Sequence, residues 1–101
     1  MTSQQQEAIG EFFALVERLK DLGVVRSDRY LGDIAEFLCS REFEMTLASN
    51  RREPGHDGLI GSQRVQVKFH GGKSTTVECG NPSQYQQLIV VLGPSSVLRP
   101  S

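Results

Sequence analysis

The sequence contains no tryptophan, only two cysteines and no apolar run long enough to cross a bilayer. Its longest apolar run, residues 88–92, has the length of a strand, whereas a membrane-spanning helix needs about 20 residues. Cys39 and Cys79 are too few for a disulfide framework and lack the close spacing of zinc ligands, so we expect two reduced, largely buried thiols. The first residues also lack the basic and then apolar pattern of a secretory signal. We therefore expect a cytoplasmic protein with no membrane partner.

The sequence also lacks a strong net charge, which argues against nonspecific binding of nucleic acid. The net value of −1 hides a division, because residues 1–50 contain nine acidic and five basic residues, and residues 51–101 contain three and six. Such asymmetry arises by chance in a small protein, and it is also typical of a phosphate-facing surface. Composition leaves both interpretations open. The basic excess surrounds one segment and consists of Arg51, Arg52, Arg64, Lys68 and Lys73.

The first predicted element is an amphipathic helix over residues 4–22. Ser3 and Gln6 have the spacing of a capping box, and Gly23 is a suitable C-terminal stop. The apolar residues recur every three or four positions along this helix. They would form one stripe made of Ile9, Phe12, Phe13, Val16, Leu19 and Leu22.

A second helix is predicted over residues 28–41, with Ser27 or Asp28 as its cap. A helical wheel separates its side chains into an apolar face and a polar face, with Cys39 at the boundary. The apolar face would carry Tyr30, Leu31, Ile34, Ala35, Phe37 and Leu38. The polar face would carry Gly32, Asp33, Glu36 and Ser40.

After residue 43 the sequence changes from helical to strand character. Residues 44–49 predict a short strand, and residues 57–60 and 64–70 predict a hairpin joined by Gly61 and Ser62. Residues 74–79 are β-prone, Asn81 and Pro82 open a short helix, and residues 88–92 predict a strand buried on both faces. The order predicts an α+β or three-layer α/β domain, with a mixed sheet flanked by helices.

The hairpin also carries three side chains that suit a metal site. Asp57 enters the first strand, while Gln66 and Lys68 lie two residues apart and share one face of the second strand. Carboxylate and amide oxygens suit Mg²⁺, and a lysine beside a metal-bound water stabilises charge that develops on a phosphate. The same pattern is common on the polar face of an ordinary hairpin. Glu36 would join such a site only if its helix packs beside the hairpin.

Three segments, in this order, resemble the PD-(D/E)XK nuclease superfamily, which has the restriction-endonuclease-like fold. They are GDIAEFL at residues 32–38, GHDG at residues 55–58 and VQVKFH at residues 65–70. The longer stretch GVVRSDRYLGDIAEFL, followed by HDGLI, RVQVK and YQQLIVVL, looks like a family of small bacterial proteins within that superfamily. The resemblance implies a core of helix, three-stranded meander, helix and strand, with an extra N-terminal helix here.

The resemblance assigns a role to each matching residue. Asp57 matches the metal-binding aspartate, Glu36 the helix glutamate and Lys68 the lysine of the motif, while Gln66 stands where a second acid is usual. It implies a Mg²⁺-dependent nuclease, with Mn²⁺ as an alternative ion. The metal ligands would be Asp57, Glu36 and Gln66, and Lys68 would complete the catalytic set. Since Gln66 offers a neutral oxygen, the alternative is an inactive nuclease-like fold that binds DNA or a protein.

The expected organisation is a single domain over residues 1–101. It would consist of the N-terminal helix (1–23), a nuclease-like core (24–93) and a loose tail (94–101). The stripe around Phe12 and Phe13 offers a contact to a protein partner or a homodimer. DNA is the expected nucleic-acid partner, and its backbone would be gripped by Arg51, Arg52, Arg64, His70 and Lys73. For His70, an ordinary surface position is the alternative.

Overall fold

Two helices and a four-stranded mixed sheet make up the fold. The computed structural model describes residues 1–48 and 56–100. The strands lie in the order β1-β2-β3-β4, the first three antiparallel and β4 parallel to β3. The expectation of an α+β chain with a mixed sheet is confirmed. The elements are α1 (Ser3–Asp21), α2 (Tyr30–Glu42), β1 (Thr46–Leu47), β2 (Gly58–Ile60), β3 (Gln63–His70), a short 3-10 helix (Pro82–Gln84) and β4 (Gln87–Leu92).

Capping groups define both ends of α1. The Thr2 side chain accepts a hydrogen bond from the Gln5 N–H, and the Gln5 side chain accepts one from the Thr2 N–H. The capping box therefore forms one residue before the predicted position. At the other end Gly23 takes a positive φ of 76°, and the Val24 N–H donates to the Leu19 carbonyl at 2.9 Å. This is the left-handed stop that the sequence predicts.

α1 packs lightly on the rest of the described fold. Val16 is its one buried residue, and the Phe12 ring meets the Tyr30 ring of α2 edge-on, with 5.5 Å between centroids. Much of the predicted apolar stripe is exposed, including Phe13 and Leu22. Neither α1 nor any other helix in the described ranges combines the length and apolar character that a bilayer crossing requires.

The hairpin of β2 and β3 forms as predicted, with Gly61 and Ser62 as its two-residue turn. Ile60 pairs with Gln63 directly across this turn. Gly61 has a positive φ of 61°, and Ser62 does not. A positive φ at the first central residue alone is the pattern of a type II′ turn, where glycine carries no steric cost.

The core lies between α2 and one face of the sheet. Val65 and Val67 of β3 are buried together with Ala35 and Cys39 of α2 and with Met45. This cluster is where helix and sheet lose water-exposed apolar surface, the main favourable term in folding. Partly buried side chains complete it, namely Leu47, Ile60, Phe69, Ile89 and Val91.

α2 turns a different face to the sheet from the one that the helical wheel predicts. Asp33 and Glu36, expected on the exposed polar face, are 2% and 6% exposed, whereas Leu31 and Leu38 are 58% and 49% exposed. The prediction was wrong because a wheel ranks side chains by polarity alone. Both carboxylates have hydrogen-bond partners within the fold, and these offset the cost of their burial.

β4 lies at the edge of the sheet, which corrects the prediction of a strand buried on both faces. All six of its residues are partly exposed. Within residues 1–48 and 56–100, β3 is its one strand neighbour. The sequence showed that the strand is apolar, but not on which side of it another strand pairs.

The strand predicted over residues 74–79 does not form. The Ser74 hydroxyl bonds with the backbone and side chain of Thr76, and such local bonds compete with pairing to a neighbouring strand. Cys79, expected to be buried, is exposed, and both cysteines are free thiols. The short helix that follows was predicted correctly, and the Asn81 side chain accepts from the Ser83 N–H at 3.0 Å.

Gly58→Ala should destabilise the protein. A Cβ atom at this buried position would lie 2.6 Å from the Thr46 carbonyl oxygen and 2.9 Å from the Met45 Cγ. Overpacking of this kind costs about 1–3 kcal/mol, measurable as the free energy of unfolding in urea. Gly72→Ala is the matched control, because a Cβ there meets no atom within 4 Å, and its effect should stay within about 0.5 kcal/mol. Equal effects would contradict the close approach of β1 to β2.

Candidate functional site

Asp33 fixes the segment that leads into α2 and so positions Arg26. Its Oδ2 atom accepts hydrogen bonds from the backbone N–H groups of Arg26 and Ser27, both at 2.8 Å, and from the Ser27 hydroxyl at 3.0 Å. Three donors on one carboxylate oxygen make its burial tolerable. Ser27, one of the predicted caps, thus bonds to a residue inside the helix, and α2 begins at Tyr30 without a side-chain cap.

Glu36 projects from the buried side of α2 and forms an ion pair with Arg26. The Arg26 Nη2 donates to the Glu36 Oε1 at 2.9 Å, and the Arg26 Nη1 donates to the Ala48 carbonyl at 3.5 Å. The Glu36 side chain is 8% exposed, while that of Arg26 is 33% exposed. A buried carboxylate is costly without a partner, so the guanidinium contributes to keeping Glu36 in this position.

Asp57 sits at the entrance of the hairpin, where it connects three strands. Its Oδ2 accepts a hydrogen bond from the Val67 N–H at 2.7 Å. Its backbone N–H donates to the Val65 carbonyl at 2.7 Å, and its carbonyl accepts from the Ala48 N–H at 2.9 Å. β1, β2 and β3 therefore meet at this residue, and their backbone bonds determine where its carboxylate lies.

Glu36 and Asp57 line one small cavity, so α2 does pack beside the hairpin entrance. The cavity measures about 20 Å³, which is room for a single water molecule. Both the helix carboxylate and the hairpin carboxylate predicted from the sequence are thus brought together. The other residues that line it are Arg26, Arg29, Ala48 and His56.

The surroundings of the cavity shift the pKa of the helix carboxylate. Burial raises the pKa of the Glu36 carboxyl, and the negative charge of Asp57 raises it further, while Arg26 and then Arg29 act to lower it. Burial also raises the pKa of the Cys39 thiol, with additional contributions from Glu36 and Asp57. Two carboxylates within electrostatic reach of each other disfavour double ionisation unless a cation compensates them.

Gln66 and Lys68 point to the face of β3 that is turned away from α2. Successive side chains of a strand point to opposite faces, and Val65 and Val67 face α2 as part of the core. Gln66 and Lys68 are both partly exposed and are not among the described residues that line the cavity. The structure therefore brings together Asp57 and Glu36, but not the amide and the ammonium expected to join them.

The predicted basic surface is described in part. Arg51 and Arg52 lie outside the described residues. Arg64 uses its guanidinium internally, because its Nη2 donates to the Ser83 carbonyl at 3.3 Å. Lys73 is exposed in the loop that follows β3.

Besides Ala48, three cavity residues with polar side chains were not predicted to belong to the site: Arg26, Arg29 and His56. Arg26 and Arg29 belong to the loop before α2, where basic side chains look like ordinary surface residues. His56 directly precedes Asp57, and that adjacency is the one signal in the sequence that placed it near the site.

His70, predicted to contact phosphate, is buried and bonded through both ring nitrogens. Its Nε2 lies 2.7 Å from the Ser74 carbonyl oxygen, and its Nδ1 lies 2.6 Å from the Ser96 Oγ. A carbonyl only accepts, so Nε2 carries a proton, and in the neutral ring Nδ1 accepts from the Ser96 hydroxyl. These bonds leave neither nitrogen for a phosphate. The Nδ1 bond also joins Ser96, which follows β4, to the end of β3.

The donors around the cavity suit a hard divalent cation. Mg²⁺ is usually held by one or two carboxylates and retains several waters, and Glu36 and Asp57 supply two. In the described ranges no group of three or more His, Cys, Asp and Glu side chains is arranged to hold a metal ion. Gln66, predicted as a third ligand, is not among the described residues that line the cavity. The two carboxylates would thus be the protein's own contribution.

No model of a known protein family matches this chain, and a comparison with curated proteins finds no relative. The function must therefore be argued from the residues of the cavity and the topology around them.

The raised pKa of Glu36 makes stability depend on pH. The ordinary pKa of a glutamate is 4.5. At pH values between 4.5 and the raised pKa of the folded state, Glu36 is protonated in the native protein but ionised in the unfolded chain. Relative to Glu36→Gln, the wild type should lose stability as pH rises through this window and then level off. Urea unfolding at a series of pH values measures the difference.

Asp57→Asn should shrink the same pH-dependent loss, because it removes one charge that raises the pKa of Glu36. Glu11→Gln on exposed α1 is the control for a changed net charge, and its difference from the wild type should not vary across this window. A wild type that gains stability over Glu36→Gln with rising pH would contradict the electrostatics described here.

Ser96→Ala should destabilise the protein by about 1–2 kcal/mol, because it leaves the buried Nδ1 of His70 without its hydroxyl partner. Thermal or urea unfolding measures this loss. Ser95→Ala is the neighbouring control, since Ser95 is exposed. If the two variants unfold alike, Ser96 does not hold the tail to β3.

Proposed function

We propose that the protein is a divalent-metal-dependent nuclease of the PD-(D/E)XK type, which hydrolyses phosphodiester bonds in DNA. The observation that carries this proposal is the meeting of Glu36 and Asp57 in one cavity bordered by Arg26 and Arg29. One acid comes from a helix and the other from a hairpin entrance, as the resemblance in sequence implies. Two close carboxylates repel each other, and a bound cation relieves that repulsion.

The topology supports the proposal independently of the side chains. A helix precedes three antiparallel strands, and the last strand returns parallel to β3. This is the order of helix, meander and strand that the restriction-endonuclease-like core has. The helix expected between β3 and β4 is reduced here to the 3-10 turn Pro82–Gln84.

The chemistry divides between the ion and the chain. A bound Mg²⁺ or Mn²⁺ would polarise the phosphate and lower the pKa of a bound water. Glu36 and Asp57 hold the ion in this proposal. Two positive side chains attract the DNA backbone in this proposal. Arg29 lines the same cavity, and Lys73 is exposed in the loop that follows β3. Lys68 stands on the other face of β3, so its part in the reaction rests on the motif alone.

A second function, an inactive nuclease-like module that binds DNA or a protein, is favoured by the Arg26–Glu36 ion pair. In that case the guanidinium permanently neutralises Glu36 and the cavity serves the fold. Gln66, neutral and on the opposite face of β3, is consistent with this alternative. The exposed apolar side chains of α1, such as Ile9 and Phe13, would then offer a contact to a protein partner or a second copy.

The proposed setting is the bacterial cytoplasm, with DNA as the partner. Both Cys39 and Cys79 are free thiols, which is usual for proteins of reducing compartments.

A cleavage assay separates the two functions. Purified protein is incubated with linear, nicked and single-stranded DNA in Mg²⁺ or Mn²⁺. Glu36→Gln and Asp57→Asn should each lower the cleavage rate by about 100-fold or more, since each removes a charge that stabilises the reacting centre. Lys68→Ala tests the motif lysine in the same assay.

Glu11→Gln, an exposed acid on α1, should cleave like the wild type. Each variant is also titrated with the same DNA to measure binding. Equal background cleavage by the wild type and all variants, with DNA binding retained, would reject the nuclease and favour the binding module.

A further inference from the structure

Arg26 already places a positive charge in the cavity proposed to bind a divalent cation. Its guanidinium contacts the Glu36 Oε1 at 2.9 Å and the Ala48 carbonyl at 3.5 Å. Both contacts are oxygens of the kind that a hard cation takes as ligands. The cavity has room for about one water-sized particle. A guanidinium in this position and a metal ion on the same carboxylate would compete for the same oxygens.

The two carboxylates of the cavity favour the binding of a cation. Arg26 forms an ion pair with Glu36, whereas the Asp57 carboxylate accepts a hydrogen bond from the Val67 N–H and has no ion-pair partner among the described residues. One of the two carboxylates that line the cavity therefore lacks a direct partner of opposite charge there. A divalent ion brings more charge into a smaller volume than a guanidinium does, so it can compensate both acids together.

The Arg26 side chain can leave the cavity without a movement of the backbone. Its backbone is fixed by Asp33, which accepts the Arg26 N–H at 2.8 Å, so the loop does not need to move. Its side chain is 33% exposed, against 8% for Glu36. A third of the Arg26 side chain is therefore already in contact with water, and rotation about its own side-chain bonds would move the guanidinium into solvent.

We propose that Arg26 is the resident counter-ion of Glu36 and that a divalent cation binds by displacing its guanidinium. This inference rests on the proposed metal-dependent function and goes beyond it, because it makes Arg26 a residue that weakens metal affinity. The ion pair that keeps Glu36 buried without metal is the same contact that the metal must break. Arg26 thus sets the concentration at which the site fills.

Mn²⁺ binding, measured by calorimetry or by electron paramagnetic resonance at pH 7.5, tests the proposal without any assay of activity. Arg26→Gln should bind Mn²⁺ about tenfold more tightly than the wild type, because it removes one charge-assisted hydrogen bond from the free state. Arg26→Lys keeps the charge but loses the two-point contact, so its affinity should lie between the two. Should Arg26→Gln fail to fold, Arg26→Lys against the wild type gives the same test.

Two matched controls define the site. Arg18→Gln removes a positive charge from exposed α1 and should leave Mn²⁺ affinity unchanged, whereas Glu36→Gln should abolish binding. Circular dichroism establishes that each variant is folded.

The outcomes are distinct for the two proposals. Tighter binding by the Arg26 variants supports the displacement, including the case in which the wild type binds no measurable Mn²⁺. Unchanged or weaker binding overturns the role of Arg26 but leaves the metal site standing. Absence of Mn²⁺ binding in the wild type and in both Arg26 variants overturns the metal site and the displacement together.

Discussion

The buried carboxylate of Asp33 is the constraint on which the rest of the site depends. It accepts two backbone N–H groups and one hydroxyl from the segment just before its own helix. This fixes the entry of the chain into α2 and the face that α2 turns to the sheet. Glu36 lies three residues further on, on the same side of the helix, so the orientation that buries Asp33 also buries Glu36. The same bonds hold the backbone of Arg26, whose guanidinium then meets Glu36.

Features that depend on adjacent residues could be predicted from the sequence. The turn at Gly61, the stop at Gly23 and the cap at Asn81 each follow from the conformational preferences of one or two neighbours. The face that α2 turns to the sheet could not be predicted in this way, because it depends on partners outside the helix, above all Arg26. The edge position of β4 depends on which segments pair with it, and the apolar run of residues 88–92 carries no information on that choice.

The candidate site was predictable to the extent that a resemblance paired Glu36 with Asp57. Periodicity alone placed Glu36 in solvent, where it would have had no role. Spacing within the hairpin correctly put Gln66 and Lys68 on one face, but strand alternation puts that face opposite the core valines and α2. Arg26 and Arg29 were missed since a basic side chain in a loop gives no sign of the acid it will meet.

The position of β4 has a consequence for how this sheet relates to other chains. Its six residues, QLIVVL, include no charge and no proline, the two devices by which proteins commonly protect an unpaired strand. Its outer backbone groups face away from β3, with no further strand beside them in the described ranges. An edge strand with unpaired backbone groups can accept an additional strand, because an extended segment of another chain can pair with it through backbone hydrogen bonds alone. Among the described residues, the Arg99 Nη1 donates to the Leu92 carbonyl at the end of β4, and no strand lies beside the rest of this edge. The edge is on the side of the sheet away from the hairpin, whereas the cavity of Glu36 and Asp57 lies at the hairpin entrance.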